Sequence, residues 1–293
     1  MVILLTGASG FLGRLVMKKL LGRGHKVWAL SRRTIDGKSQ DLTEITWDMT
    51  AELPVGKIPW QELGAIIHLA ASGVKSAHRD WADALRVNVG ATMQLLTAAQ
   101  RNAPQKPRVV VTRTFYEHLV RQAPALRGNP YIATKAMASE LAKEWSEDQH
   151  WPVTMATVFQ LYGPGDDSSS VLSYAARQFA TRQPALFGSG LGCRDWLFVD
   201  DAADAIVSLL ECRESGLSEW DVGSGQLTSI RHMVEALAAI PHSGAGELNF
   251  DPARDRPDVD LKLVATRFPP GWRPKVSPAE GLRQLLAATS TGN

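Results

Sequence analysis

Cysteine is scarce in this chain, whose 293 residues include only Cys193 and Cys212. Two cysteines cannot build a disulfide framework, and neither stands at a metal-ligand spacing from a histidine. The sequence therefore predicts no metal site, and reduced thiols are typical of the cytoplasm, where we expect this protein. His68, His78 and His118 are interpreted as packed or surface residues rather than catalytic ones.

Long apolar runs and a strong charge imbalance are also missing. Residues 1–7 have no basic start, and their apolar run is far too short for a signal sequence. No apolar run approaches the ~20 residues that span a bilayer. The 32 basic and 30 acidic residues are scattered and leave a net charge of +2, which argues against nucleic-acid or membrane-surface binding. We expect a globular protein with neither partner.

What the sequence does contain is an alternation of short apolar runs and amphipathic stretches. The runs predict strands, and apolar residues at helical spacing predict helices between them. Strands joined by helical crossovers predict a parallel sheet covered by helices on both faces. The predicted strands cover residues 2–5, 26–30, 44–47, 65–70, 108–111 and 153–158, and the main predicted helices cover residues 11–21, 86–101 and 131–145.

A glycine-rich turn stands between the first predicted strand and the first predicted helix. Gly7 permits a tight turn, Gly10 lets the backbone approach a pyrophosphate, and Gly13 lets helix and strand pack closely. The helix N-terminus then offers unpaired N–H groups and partial positive charge to the phosphates. In this strand–turn–helix context the spacing predicts a dinucleotide-binding site.

The end of the second predicted strand indicates which dinucleotide binds. An acidic residue there would accept hydrogen bonds from the ribose 2′-hydroxyl of NAD. This chain has Ser31, Arg32 and Arg33 instead, and a guanidinium group suits a 2′-phosphate. We therefore expect NADP(H), with NAD as the less favoured alternative.

Tyr131 and Lys135 are four residues apart at the start of a predicted helix, so their side chains share one face. A neighbouring ammonium group favours the phenolate, which lets a tyrosine exchange a proton with a carbonyl or hydroxyl near neutral pH. The lysine can also hold the nicotinamide ribose. A hydroxyl at the end of the fifth predicted strand, from Thr112 or Thr114, can complete a hydrogen-bonded site around the reacting oxygen.

Together these features resemble the extended short-chain dehydrogenase/reductase family, which includes nucleotide-sugar epimerases, dehydratases and reductases. The resemblance covers nearly the whole chain and rests on the order and spacing of its motifs. The matching motifs are TGASGFLG at residues 6–13, Asp48, HLAA at 68–71, NVGAT at 88–92, YIATK at 131–135, LYGPG at 161–165, RDW at 194–196, VDD at 199–201, WDVGSG at 220–225 and RPDV at 256–259.

The resemblance implies a Rossmann-type, doubly wound parallel sheet with a smaller C-terminal α/β substrate lobe. The dinucleotide-binding domain would cover residues 1–160 and 196–224, and the nucleotide-sugar lobe would cover residues 161–195 and 225–293. It further implies a homodimer, formed through the helices that begin near Arg86 and Tyr131.

The resemblance also assigns roles to individual residues. The expected catalytic residues are Thr114, Tyr131 and Lys135. The expected substrate-binding residues are Thr114, Gln160, Arg194 and Arg256, and both arginines would pair with the diphosphate. The residues expected to bind the dinucleotide are Gly7, Gly10, Phe11, Leu12, Gly13, Ser31, Arg32, Arg33, Asp48, Met49, Leu69, Ala70, Ala71, Asn88, Thr112, Tyr131 and Lys135.

Departures from the family's pattern bear on the reaction. Family dehydratases carry acidic residues directly after the catalytic threonine, but here Phe115 and Tyr116 follow Thr114, and Glu117 comes later. Arg113 replaces a small residue in the same strand.

We hypothesise an NADPH-dependent reductase that acts at C4 of a nucleotide-linked 4-keto-6-deoxyhexose, because the two arginines after the second strand fit dissociable NADPH. Residues 112–118 are also similar to deoxysugar 4-ketoreductases of the abequose and paratose synthase type. Two alternatives stay open: an NAD-dependent nucleotide-sugar 4-epimerase, and a non-catalytic dinucleotide-binding regulatory protein.

Overall fold

The computed structural model describes residues 1–35, 39–74, 80–119, 126, 128–212, 214–255 and 262–290. The strands of these ranges are β1 (Val2–Thr6), β2 (Lys26–Ser31), β3 (Leu42–Thr46), β4 (Leu63–His68), β5 (Arg108–Thr114), β6 (Val153–Val158), β7 (Gln160–Tyr162), β8 (Ala185–Phe187), β9 (Cys193–Phe198), β10 (Ser218–Val222), β11 (Leu227–Ser229) and β12 (Leu248–Phe250). The α-helices are α1 (Gly13–Gly22), α2 (Trp81–Ala84), α3 (Thr92–Asn102), α4 (Pro130–Gln149), α5 (Val171–Ala180), α6 (Val199–Ser208), α7 (Ile230–Ala238) and α8 (Pro278–Ser290).

Seven parallel strands form the central sheet in the order β10-β6-β5-β4-β1-β2-β3. The strand order reverses between β1 and β4, which makes the sheet doubly wound. Open α/β sheets bind their ligands at this switch point, beyond the carboxyl ends of the strands. The predicted α/β class and Rossmann-type sheet are therefore confirmed.

Two hydrophobic cores lie on opposite faces of the central sheet. Leu96 of α3 and Trp145 of α4 belong to the core on one face, while Val16 of α1 and Ile206 of α6 belong to the core on the other. Successive strand residues point to opposite faces, and helices on both faces bury the central strands completely.

A third core belongs to the smaller C-terminal part of the chain, where α5, α7 and α8 pack with the sheet β11-β9-β7 and the pair β12-β8. The buried carboxylate of Asp195 joins β9 to the chain that follows β10. It accepts backbone N–H bonds from Ser224 at 2.5 Å, Gly225 at 2.9 Å and Ala265 at 2.9 Å. The residue boundaries given above for the two parts stay a prediction.

The predicted strands all correspond to strands of the central sheet, and β6 has the predicted bounds. The fourth strand ends at His68 rather than at residue 70. The peptide between Leu69 and Ala70, just beyond this end, lies against Gly7, where a Cβ would come within 3.0 Å of it. Within the described part of the chain, no helix combines the length and apolar character needed to cross a membrane.

The helix predicted over residues 86–101 differs from the expectation in one respect. Its first half is the π-helical stretch Leu85–Ala91, and only from Thr92 onward is it an α-helix. In an α-helix the carbonyl of Asn88 would accept the backbone N–H of Thr92. Here that carbonyl accepts the Thr92 hydroxyl, and the distance from Oγ1 is 2.6 Å. Such π-helical stretches are frequent at functional sites.

Arg113, which departs from the family's pattern, points to the α4 face of the sheet. Its guanidinium donates to Thr157 Oγ1 at 2.7 Å and to Glu219 at 2.9 Å, and Lys143 of α4 pairs with Glu219 at 2.9 Å. A buried guanidinium needs such partners to offset its lost hydration. Arg113 therefore links β5, β6, β10 and α4.

Candidate active site

The turn after β1 brings its first and last glycines together. Gly7 has a left-handed φ of +74°, and a Cβ on it would lie 2.8 Å from the Ala70 nitrogen. A Cβ on Gly13 would lie 2.7 Å from the carbonyl carbon of Gly7 and closer still to its oxygen. Only glycine fits at both positions. The close contact that the two glycines allow places the start of α1 directly above the end of β1. Its first N–H groups are thereby placed at the carboxyl edge of the sheet.

Arg14 ties this turn to the loop of the LYGPG motif. Its guanidinium donates to the carbonyl oxygens of Pro164 and Gly165 and lies 5.5 Å from the ring centre of Phe11. The sequence analysis missed Arg14, because its partners are about 150 residues away. The only local signal was its place directly after the third glycine.

The ends of β2 and β3 carry the residues expected to bind the adenosine half of a dinucleotide. Ser31 Oγ donates to the carbonyl of Arg33, and both Arg32 and Arg33 are exposed. Asp48 Oδ1 accepts the N–H and the hydroxyl of Thr50 at 3.0 and 2.9 Å. These bonds and the charge of Arg32 hold the pKa of Asp48 below its usual value. An ionised acceptor thus lies near an exposed guanidinium.

Asn88, in the π-helical stretch, is hydrogen-bonded to two parts of the site. Its Nδ2 donates to the carbonyl of Ser72 at 3.0 Å and to Thr134 Oγ1 at 2.9 Å, and its Oδ1 accepts the N–H of Ser72 at 2.8 Å. Thr134 Oγ1 in turn donates to the carbonyl of Pro130 at 2.7 Å. Asn88 therefore holds the chain after β4 against the first turns of α4. Its contact with a dinucleotide stays a prediction.

The start of α4 carries the expected proton donor and its lysine. Asn129 caps the helix by accepting the N–H of Tyr131 at 3.1 Å, so Tyr131 and Lys135 lie one turn apart at its beginning. Lys135 is only 4% exposed, and its Nζ donates to the carbonyl of Thr112 at 2.6 Å. Burial lowers the pKa of Lys135, while the nearby charge of Glu117 opposes that shift.

Thr114 ends β5 and caps the short 3₁₀-helix Phe115–His118. Its Oγ1 accepts the N–H of Tyr116 at 3.4 Å, and Glu117 Oε1 accepts the N–H of Thr114 at 3.1 Å, which is a capping box. The Thr114 hydroxyl is held in this way and can still donate its own hydrogen. The Glu117 carboxylate, meanwhile, is oriented toward the backbone.

The residues expected to bind the substrate come from the C-terminal part. Gln160 begins β7 and is half-buried, with its Nε2 donating to the carbonyl of Leu161 at 3.3 Å. Arg194 lies near the start of the adjacent strand β9 and donates to the carbonyl of Cys193 at 2.8 Å. Arg256 and the RPDV motif lie outside the described residues.

The described residues at the carboxyl edge fit a nicotinamide dinucleotide. The glycine turn is a cradle that a Cβ would fill, and the helix N–H groups above it suit a pyrophosphate. Lys135, Thr112 and Thr114 meet at the end of β5, beside the switch point. Over the described ranges, no three His, Cys, Asp or Glu side chains are grouped as a metal site would require.

Comparison with known proteins gives a consistent match. The sequence profile of the NAD dependent epimerase/dehydratase family matches residues 3–223. The chain is 29% identical to GDP-6-deoxy-D-mannose reductase of Pseudomonas aeruginosa, with 97% of this chain and 96% of that protein covered. It is 25% identical to CDP-abequose synthase of Salmonella typhimurium, with 97% of both covered. UDP-glucose 4-epimerase of Mycolicibacterium smegmatis is 28% identical, with 97% and 96% covered.

Solved structures show the same fold. RMD from Pseudomonas aeruginosa, complexed with NADPH, superposes with a TM-score of 0.76 at 26% identity and covers 99% of both chains. MoeE5, in complex with UDP-glucuronic acid and NAD, superposes with a TM-score of 0.82 at 24% identity and covers both chains fully.

The glycine turn yields a test with a control in the same helix. We expect Gly13→Ala to weaken dinucleotide binding at least about tenfold, because its Cβ would force the turn apart. Gly22→Ala, at the end of α1, meets nothing within 4 Å. It should raise the free energy of unfolding by about 0.5–1 kcal/mol and leave binding unchanged. Fluorescence titration and urea denaturation measure the two quantities, and wild-type affinity in Gly13→Ala would contradict the assignment of the turn.

Proposed function

Because the chain belongs to the NAD dependent epimerase/dehydratase family, we propose that it is an NADP(H)-dependent reductase of a nucleotide-linked 4-keto-6-deoxyhexose. The observation that carries the proposal is that Lys135, one helical turn after Tyr131, donates to the carbonyl of Thr112 at the end of β5, two residues before Thr114. A nicotinamide dinucleotide bound at the carboxyl edge supplies the hydride that such a site transfers.

Each residue of this group has a distinct task. Tyr131 protonates the C4 oxygen as the carbonyl is reduced. The buried ammonium of Lys135, fixed by the Thr112 carbonyl, stabilises the phenolate that Tyr131 leaves behind and binds the nicotinamide ribose. The Thr114 hydroxyl donates to the same C4 oxygen and holds it in line. One proton donor, one stabilising cation and one orienting hydroxyl are sufficient for a carbonyl reduction.

The position of Glu117 favours a reductase over a dehydratase. Elimination of water needs an acid and a base besides the tyrosine. Glu117 Oε1 already accepts the N–H of Thr114, and the intervening Phe115 and Tyr116 cannot exchange a proton as carboxyl groups do. The similarity to the protein named GDP-6-deoxy-D-mannose reductase, at 29% identity, is consistent with a reductase.

A second candidate is an NAD-dependent nucleotide-sugar 4-epimerase. The 28% identity to a UDP-glucose 4-epimerase favours this candidate. The alignment covers 97% of this chain, as does the alignment with GDP-6-deoxy-D-mannose reductase. A non-catalytic dinucleotide-binding protein is disfavoured. Such a protein would not need Tyr131 in the capped first turn of α4, or a buried lysine whose Nζ lies 2.6 Å from the Thr112 carbonyl oxygen.

The substrate's nucleotide is assigned to the C-terminal lobe. We propose that Gln160, Arg194 and Arg256 bind it with Thr114, and that the arginines pair with its diphosphate. Gln160 and Arg194 lie on adjacent parallel strands, where Gln160 is in register with Trp196. Arg194 lies two residues before Trp196 in β9.

We also propose a homodimer. Four large apolar side chains on α2, the π-helical stretch and α4 are exposed to between 40% and 53%. These helices pack side by side, so the residues can form one apolar surface, which a second copy would bury. The four residues are Trp81, Leu85, Met137 and Leu141.

The reaction is tested with NADPH and a panel of nucleotide-linked 4-keto-6-deoxyhexoses. We expect NADPH oxidation with at least one of them, and a fall in kcat of about 10²–10⁴ in Tyr131→Phe because the proton donor is lost. NADPH should bind the variant as tightly as it binds the wild type. Retained turnover in Tyr131→Phe would contradict the assigned donor. Tightly co-purifying NAD, without activity on any ketone, would favour the epimerase.

Cofactor choice is tested at the end of β2. We expect Arg32→Ala together with Arg33→Ala to weaken NADPH binding by about 10- to 100-fold, the loss of one or two charged hydrogen bonds, and to change NADH binding little. Arg23→Ala is the control, because Arg23 is another partly exposed arginine, paired with Asp204 at the far end of α1. Equal losses for NADH and NADPH in the double variant would argue against a 2′-phosphate site.

The dimer is tested by light scattering. The wild type is expected to have twice the mass of the chain, and Met137→Glu with Leu141→Glu should give monomers because charges cannot be buried unpaired in an apolar interface. Val55→Glu introduces the same charge on a different exposed surface and should leave the dimer intact. A monomeric wild type at micromolar concentration would contradict the proposal.

A further inference from the structure

A buried chain of polar side chains runs from the glycine turn to the helix that carries Tyr131. His68 ends β4 and is 1% exposed, yet its ring is fully hydrogen-bonded. Its Nδ1 lies 2.7 Å from Thr6 Oγ1, on the residue just before Gly7. Its Nε2 lies 2.9 Å from Thr92 Oγ1. Thr6 and Thr92 are buried as deeply, so protein atoms must satisfy each of these groups.

The neighbours of the ring fix its tautomer. Thr92 has one hydroxyl hydrogen, which it donates to the Asn88 carbonyl at 2.6 Å, so its oxygen accepts from Nε2–H of His68. Thr6 Oγ1 accepts the N–H of Ala70 at 3.3 Å and uses its own hydrogen toward Nδ1. The opposite tautomer would leave the Asn88 carbonyl without the Thr92 hydrogen. Burial, together with the charge of Lys135, lowers the pKa of His68 to about 3, so the ring stays neutral.

The chain continues through Asn88 into α4. Asn88 Nδ2 donates to Thr134 Oγ1 at 2.9 Å, and Thr134 lies between Tyr131 and Lys135. Thr6, His68, Thr92, Asn88 and Thr134 are therefore connected in series, with Thr92 bonded to the main-chain carbonyl of Asn88 and Thr134 to its side-chain amide. This series connects the turn that would hold a pyrophosphate to the turn that carries the proton donor.

We propose that His68 is a positioning residue, whose neutral imidazole sets the distance between the bound dinucleotide and the Tyr131–Lys135 pair. It touches neither substrate nor dinucleotide and acts only through Thr6 and Thr92. This proposal rests on the proposed function, because it gives His68 a task in hydride transfer. A hydrophobic residue of similar size would fill the same space but would disconnect the two turns.

Three variants distinguish the positioning role of His68 from a contribution to folding stability alone. In His68→Phe and Thr92→Val we expect the Kd for NADP⁺ to rise and kcat to fall by about tenfold each, which corresponds to about 1.4 kcal/mol. His68→Gln, whose amide can still donate toward Thr92, should recover most of that loss. The control is Ser146→Ala, which removes a buried 2.7 Å hydrogen bond at the other end of α4 and should change neither quantity more than about twofold.

Two readouts need no sugar substrate, so they test His68 even if the wild type reduces none of the ketones. The first is the Kd for NADP⁺ in the variants. The second is ring ¹⁵N NMR of His68, which should show an unprotonated Nδ1 and a protonated Nε2 between pH 5 and 8. A protonated Nδ1, wild-type affinity in His68→Phe, or an equal loss in Ser146→Ala would each overturn the proposal. Inactivity of the wild type with all ketones would instead count only against the proposed reaction.

Discussion

The close approach of Gly13 to the carbonyl of Gly7 is the constraint from which the rest of the site is built. It lets α1 begin directly above β1, so that the unpaired N–H groups of its first turn lie at the carboxyl edge of a parallel sheet. On its other side, Gly7 packs against the peptide before Ala70, just beyond the end of β4 at His68. The ends of β1 and β4, neighbours at the switch point, are therefore in fixed contact before any ligand is present.

The second constraint is the burial of polar groups around that contact. Lys135, His68, Asn88 and the threonines beside them are each less than one-tenth exposed, and each unpaired group would cost about 1–3 kcal/mol. Every one has a partner in the described structure, so the network admits very few arrangements. A site that must place a proton donor within a fraction of an ångström benefits from that restriction.

The sheet and the phosphate turn could be predicted from the sequence because their signals are local. Apolar runs such as residues 153–158 and the spacing of three glycines need no knowledge of distant residues. The pairing of Tyr131 with Lys135 is likewise a property of one helical turn. These features account for the confirmed fold class, while the roles of the site residues stay a prediction.

Features that depend on distant partners could not be predicted. The sequence predicts only that His68 is a packed or surface residue, because nothing near it in the sequence reveals Thr6, 62 residues away. The alternation of side chains in β5 sends Arg113 to the α4 face, but its partner Glu219 is 106 residues away. The π-helical stretch Leu85–Ala91 is likewise a feature that periodicity alone does not show.

The capping box at the end of β5 connects this local geometry to the type of reaction. Glu117 orients Thr114 by accepting its N–H, and the same carboxylate would have to approach the substrate to serve as an acid or base in an elimination. With Oε1 bonded to that N–H, Glu117 has only Oε2 left for such a role. Carbonyl reduction makes no such demand, because it needs a single proton, for which Tyr131 is the proposed donor. The geometry that holds Thr114 in place therefore favours hydride transfer with one proton donor.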